Sequence, residues 1–191
     1  MSASRMLNGV DLDGLGGTIA AVLADASLAR FQFRAQNRWI DGARNRTRIQ
    51  GYFGAGEEHV TRRVPFVYDT DEPPVLLGQD LGANPVEYLL HALAGCLTTS
   101  LVYHAANLGI EVYTIETFFE GDLDLRGFLG IDPTVRPGYQ RLRVRFRVDA
   151  EGGSEVARHL LQIAKDRSPV FDMLNRGIDL DVGLERAART S

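Results

Sequence analysis

Asn84-Pro85-Val86-Glu87-Tyr88-Leu89-Leu90-His91-Ala92-Leu93-Ala94-Gly95-Cys96, running on through Leu97 to Asn107, is the stretch whose reading decides the fold. Asn84 is a strong N-cap, Pro85 suits the first helical position, Glu87 stands where a capping-box acid belongs, and Gly109 follows the end. These signals predict a helix from about Pro85 to Asn107. Leu89, Leu90, Leu93, Ala94, Cys96, Leu97, Leu101 and Val102 cover most of its circumference, so burial on more than one side is expected.

Upstream, residues 69–81 are rich in Asp, Pro and Gly and read as an irregular loop. Before it come three strand-like runs, at about 30–39, 44–53 and 58–68, with Asp41-Gly42 as a hairpin signal between the first two. Residues 13–28 carry Leu15, Ile19, Val22 and Leu23 at helical spacing, weakened by Gly14, Gly16 and Gly17, and form a peripheral opening helix. Downstream, the pattern predicts strands at 111–120 and 139–148, a helix at 154–165, a helical turn at 170–175 and a last strand at 178–184. Strands gathered before helices indicate an α+β fold rather than repeated βαβ units.

The chain has 191 residues, 45% hydrophobic and 24% charged, the balance of an ordinary globular protein long enough to bury a core without disulfide or metal. Its net charge of −4 gives no global attraction to nucleic acid or to an anionic bilayer. No stretch reaches the roughly 20 apolar residues of a membrane span, and the beginning lacks a secretory pattern. A cytoplasmic protein is expected, with no nucleic-acid or membrane partner. Cys96 is the one cysteine, so no internal disulfide can form.

Two rows of arginine alternate along predicted strands: Arg44, Arg46 and Arg48, then Arg141, Arg143, Arg145 and Arg147. Glu116, Glu120, Asp122 and Asp124 can pair with such rows across a sheet; an anion-binding platform is the alternative. Other site classes lack support. The four histidines have no second ligand at metal spacing, the glycines near 51–56 precede no helix with a Lys-Ser/Thr pair, and no Gly-x-Ser-x-Gly elbow occurs. Neither metal nor cofactor is expected.

Cys96 remains, eleven residues after Pro85 within the Asn-Pro helix. Here the chain resembles the osmotically inducible protein C and organic hydroperoxide resistance (OsmC/Ohr) family, whose peroxidatic cysteine has this spacing from an Asn-Pro motif. Arg38-Trp39-x-x-Gly42, Ser168-Pro169-Val170 and Gly177-Ile178-Asp179 extend the resemblance over about residues 30–185. It implies an α+β fold with an antiparallel sheet, a long buried central helix and a second C-terminal helix, assembled as an intertwined homodimer. Residues 1–29 are then a helical extension and 30–191 the OsmC-like domain.

The resemblance implies reduction of organic hydroperoxides by a thiolate, with a second cysteine resolving the sulfenic acid. In this chain that second position is Ser168, which cannot close a disulfide, so a one-cysteine reaction resolved by an external thiol reductant follows. The family's acid follows the proline directly, where this chain has Val86 and then Glu87. Nine residues separate Glu87 from Cys96, about 180° around the helix and about 13–14 Å along it, so one straight helix cannot bring them together. Glu87 is either a cap or an acid supplied across a dimer. Arg44 is the best candidate for the family's thiolate-stabilising arginine, with Arg38 and Arg46 next. His104, two turns on, is too distant for a dyad with Cys96. Two functions follow: a small-molecule peroxide reductase using Cys96, or a non-catalytic protein binding a small apolar or anionic ligand at the dimer interface.

Overall fold

The computed structural model describes residues 4–184. An N-terminal hairpin, β1 (Met6–Leu7) and β2 (Val10–Asp11), leads into α1 (Leu12–Ala24). The Asp11 carboxylate caps α1 on the N–H groups of Asp13 and Gly14. A separate 3-10 turn at Ala26–Ala29 follows, so the predicted helix of 13–28 is two pieces. The extension is pinned by Asn8, whose side-chain amide donates to the Ile110 carbonyl and accepts from the Val112 N–H, both at 2.9 Å.

Six short strands come next: β3 (Gln32–Phe33), β4 (Gln36–Asp41), β5 (Arg44–Ile49), β6 (Tyr52–Gly54), β7 (Glu57–His59) and β8 (Phe66–Thr70). They form two antiparallel three-stranded sheets, in orders β3-β6-β7 and β4-β5-β8. The single runs expected at 30–39, 44–53 and 58–68 are therefore each divided. At 60–65 the chain leaves the sheet, and Pro65, which has no N–H to donate, stands just before β8.

The long helix, α2, spans Pro85–Asn107 as predicted, with both halves of the capping box formed: Glu87 N–H to Asn84 Oδ1 at 2.9 Å and Asn84 N–H to Glu87 Oε2 at 2.8 Å. Its buried residues, Leu93, Leu97, Leu101, Ala105 and Ala106, follow one stripe. Burial on several sides is thus not met within one protomer, and Tyr103 on the rest of α2 and Leu108 just past its end are half exposed.

Against that stripe lie β9 (Val112–Asp122) and β10 (Arg141–Ala150), an antiparallel pair, then α4 (Gly153–Arg167) and α5 (Pro169–Arg176). The connection between β9 and β10 holds the four-residue helix α3 (Leu125–Phe128). The core proper joins Leu101 and Ala105 of α2 to Ala150, Leu160 and Ala164, with Ile115, Phe146 and Val148 packed on it. Residues 178–184 form no strand, contrary to the sequence pattern. Ile178, Leu180, Val182 and Leu184 alternate as a half-buried strand should, but no sheet edge of the same protomer receives them, and they are exposed.

The architecture is α+β, with antiparallel sheets flanking a long helix. Its solvent-accessible surface is 14469 Å², whereas a compact monomer of 21.1 kDa exposes about 9,000 Å². Exposed apolar side chains contribute to the difference: Phe33, Trp39 and Phe66 stand out from the N-terminal sheets, and Val64 from the segment before β8.

Candidate active site

Cys96 sits midway along α2, half-buried, where the helix meets the start of α5. The N–H of Val170 points at its sulfur over 3.5 Å. That N–H is free because Val170 lies in the first turn of α5, where backbone donors have no helical acceptor. Pro169 occupies the first position of α5, and Ser168, only 1% exposed, caps it by accepting from the Phe171 N–H at 3.3 Å. Cys96 and the Ser168-Pro169-Val170 turn are therefore brought together, with the positive end of α5 directed at the thiol. Among the described residues no arginine, histidine or carboxylate bonds to Cys96.

The candidate arginines stand elsewhere in the protomer. Arg46 Nε and Nη2 meet Asp69 at 2.6 and 2.8 Å, and Arg44 Nη2 meets the same carboxylate at 3.1 Å. The Arg46 guanidinium first, and Arg44 second, hold the Asp69 carboxyl well below the usual carboxylate range. The cause is register: Arg46 on β5 pairs with Asp69 on β8 across the ladder. Arg38, opposite Arg46 on the exposed edge strand β4, has no ion-pair partner among the described residues. Glu87 is engaged in the capping box.

Sequence reasoning missed Asp69 and Asp71. Asp71 is 3% exposed and accepts from the N–H groups of Glu72 at 2.8 Å, Gln79 at 3.1 Å and Leu81 at 3.2 Å. Burial pushes its carboxyl up, but those donors, with Arg44 nearby, outweigh it and hold the group below its ordinary value. It thereby organises the loop that delivers Asn84 and Pro85. A short polar run offers no periodicity by which this could be found.

Two of the arginines of β10, Arg143 and Arg147, are committed to β9. Arg143 bonds to Glu120 at 2.6 Å and to Asp122, and Arg147 meets Glu116 at 3.4 Å while lying over the Phe118 ring at 4.8 Å. Asp124 pairs instead with Arg126 on α3. Cross-strand pairing thus accounts for Arg143 and Arg147 and leaves Arg141 and Arg145 without an ion-pair partner among the described residues.

Two cavities border α2. One of about 560 Å³ separates its first half from β5 and β8, with Tyr68, Tyr88 and His91 among its walls. The other, about 460 Å³, lies between α2, β10 and α5, and Leu89, Leu93 and Phe171 line it. Leu93 precedes Cys96 by one turn, and Phe171 follows the residue that donates to its sulfur.

A family model for OsmC-like protein matches residues 78–183. Comparison with curated proteins returns no match. Among solved structures, an OsmC-like protein from Mycoplasma pneumoniae superposes with a TM-score of 0.56 at 12% identity, covering 76% of this chain and 88% of that one. An OsmC-like protein of unknown function from Vibrio cholerae gives 0.55 at 11% identity, with 74% and 92% covered. An organic hydroperoxide resistance protein OsmC from Legionella pneumophila gives 0.51 at 17% identity, with 78% and 92% covered. At these identities the structures speak for the fold alone, but the family match spans more than half the chain and includes the helix of Cys96: the chain belongs to the OsmC-like family.

Proposed function

We propose that the protein is a one-cysteine, thiol-dependent reductase of organic hydroperoxides that works as a homodimer in the cytoplasm. The Val170 N–H aimed at Cys96 carries the reading. A helix-terminal donor suits negative charge on sulfur, the form that attacks a peroxide. Thiolate sulfur attacks the terminal peroxide oxygen, the O–O bond breaks, and the departing alkoxide takes a proton to leave as alcohol while Cys96 becomes a sulfenic acid. An external thiol then condenses with the sulfenic acid, releasing water and leaving a mixed disulfide; a second thiol attacks that disulfide, restores Cys96 and departs as the oxidised reductant. Ser168 occupies the place from which a second cysteine would resolve the intermediate, which is why the reductant must come from outside. Such a cycle requires a thiol-rich compartment, hence the cytoplasm.

Dimer formation rests on the surplus surface of about 5,000 Å² per protomer, more than enough for an obligate interface, which buries about 2,000–5,000 Å² counted over both partners, and on the unpaired apolar alternation of residues 178–184. In such a dimer Arg44 or Arg38, and Glu87, can reach the partner's thiol, which they do not reach within one protomer. The second reading, a non-catalytic ligand-binding protein, is favoured by the two cavities beside α2.

The test is mass spectrometry of the protein treated with one equivalent of cumene hydroperoxide in the presence of a sulfenic-acid trap. Stoichiometric adduct on Cys96, turnover on adding dithiothreitol, and loss of both in Cys96→Ser are expected. A folded dimer that yields no adduct and consumes no peroxide with dithiol present overturns the reductase and leaves the binding protein.

A further inference from the structure

The apolar side of α1 is left largely uncovered within one protomer. Leu12, Leu15, Ile19, Val22 and Leu23 recur at helical spacing along one stripe, yet among the described residues none of the helix is buried. Leu12, Leu15 and Val22 are partly covered, whereas Ile19 is 41% and Leu23 82% exposed. Local interactions do not make up for the missing burial. A helix of 13 residues is marginal in water even when rich in alanine, and Gly14, Gly16 and Gly17 weaken this one further. Against that stand the Asp11 cap, the exposed ion pair of Arg5 with Asp13 at 3.1 Å and the Thr18 hydroxyl donating to the Gly14 carbonyl at 3.0 Å, all of which serve the first turns. A helix of this composition is stabilised by burying its apolar stripe, and Ile19 and Leu23 find no cover in their own protomer.

We infer that α1 is an assembly element that packs on a second copy of this chain, seating Ile19 and Leu23 in the surface of the other protomer of the dimer. Area, position and charge together select that occupant. One protomer exposes about 5,000 Å² more than a compact monomer, while an obligate interface takes about 1,000–2,500 Å² from each partner, so the surplus accommodates α1 beside any strand pairing. Asn8, through its bonds to Ile110 and Val112, holds the extension next to the end of α2, where Leu108 is itself 52% exposed. The uncovered ground is therefore continuous from α2 to α1. From Asp11 to Asp25 the segment carries three aspartates and no lysine or arginine, which suits neither an anionic bilayer nor a phosphate backbone. Because α1 precedes the residues that the OsmC-like model matches, this contact is added to those the domain itself makes. The inference rests on the proposed homodimer and is independent of the peroxide chemistry.

Sedimentation of the full-length protein and of Ile19→Glu with Leu23→Glu, from nanomolar to tens of micromolar, tests the assignment. Both side chains are exposed in the protomer, so the double variant should keep its far-UV circular dichroism. Its dimer dissociation constant should rise about tenfold or more, since burying a single side chain of this size is worth about that factor. In a second arm p-benzoylphenylalanine replaces Leu23, and irradiation should yield a covalent dimer whose crosslink, located by peptide mass spectrometry, joins α1 to the other chain. An unchanged dissociation constant, or crosslinks confined to one chain, overturns the inference. So does co-sedimentation of the wild type with phosphatidylcholine vesicles that the two substitutions abolish, which would assign the stripe to lipid. If the double variant fails to fold, the crosslink decides alone. A wild-type monomer removes the homodimer and this contact together, whereas a dimer indifferent to α1 removes the contact alone. Absence of sulfenic acid on Cys96 would remove the reductase and leave both standing.

Discussion

The Val170 amide and the Cys96 sulfur, 74 residues apart in sequence, meet at 3.5 Å and tie the middle of α2 to the first turn of α5. Each partner supplies what the other lacks. A first-turn N–H has no helical acceptor, and a half-buried thiol has little water to hydrate its charged form. Ser168, buried two residues before Val170, completes the junction.

From that junction follows the behaviour of Ser168→Cys. If the Cα atoms of residues 96 and 168 lie within about 7 Å, the new thiol should close a disulfide with Cys96 on hydroperoxide treatment, visible as a loss of two hydrogens in the intact mass. In the reduced variant the cap to Phe171 is weakened, and melting should fall by about 2–4 °C, the equivalent of about 1 kcal/mol in a chain of this size. Oxidised Cys96 without the bridge removes Ser168 from the site.

Glu87 distinguishes a cap from an acid. Its carboxylate accepts from the Asn84 N–H, and glutamine can make the same bond. Glu87→Gln should therefore keep the melting temperature within about 1 °C, whereas Asn84→Ala should cost about 1 kcal/mol and lower it by about 2–4 °C. A fall in peroxide turnover in Glu87→Gln, with stability kept, would show that the charge acts beyond the cap, in the manner of an acid supplied across a dimer.

α2 could be read almost residue by residue because its determinants are local: Asn84, Pro85 and Glu87 lie within one turn, and Gly109 follows the end. The strands were less legible because a strand is completed by a neighbour that its own sequence does not name. Residues 178–184 have the right alternation and no edge to join, while the run at 58–68 has the right composition and is broken before Pro65. The same distinction governs the site. Cys96 was recognisable from its spacing to Pro85. Asp69 was not, since its hold on Arg46 arises from a ladder register spanning 23 residues.

Acid sensitivity should centre on the depressed carboxylates. Asp69 is held well down by Arg46 and Arg44, and Asp124, bonded to Arg126, lies at about 2. A carboxyl whose folded value lies below its unfolded value of about 3.9 contributes stability above that value and loses it as pH falls through the folded one. Stability from these groups should thus be flat above about pH 5 and decline below pH 4. Urea midpoints at pH 7, 4 and 3 should fall less steeply for Asp69→Asn than for the wild type, the variant being weaker at pH 7. Parallel curves would mean that the β5–β8 ion pairs carry no pH-dependent stability.

The last expectation concerns assembly. Residues 178–184 expose Ile178, Leu180, Val182 and Leu184 and alternate them with Asp179 and Asp181, a sequence that would put the two sets on opposite sides of a strand. The edge strand β4 is exposed along its length, with Arg38 on one face and Trp39 on the opposite face. Strand addition from a second copy pairs the backbone groups of both and can set the two aspartates against the arginine side. Sedimentation at micromolar concentration should give a dimer for the wild type. Leu180→Glu with Val182→Glu should weaken it, so that the melting temperature becomes strongly dependent on protein concentration, because an obligate dimer's stability is inseparable from its association. A wild-type monomer, folded and stable at that concentration, would sink both the strand exchange and the proposal that Arg44 or Glu87 reaches a partner's Cys96.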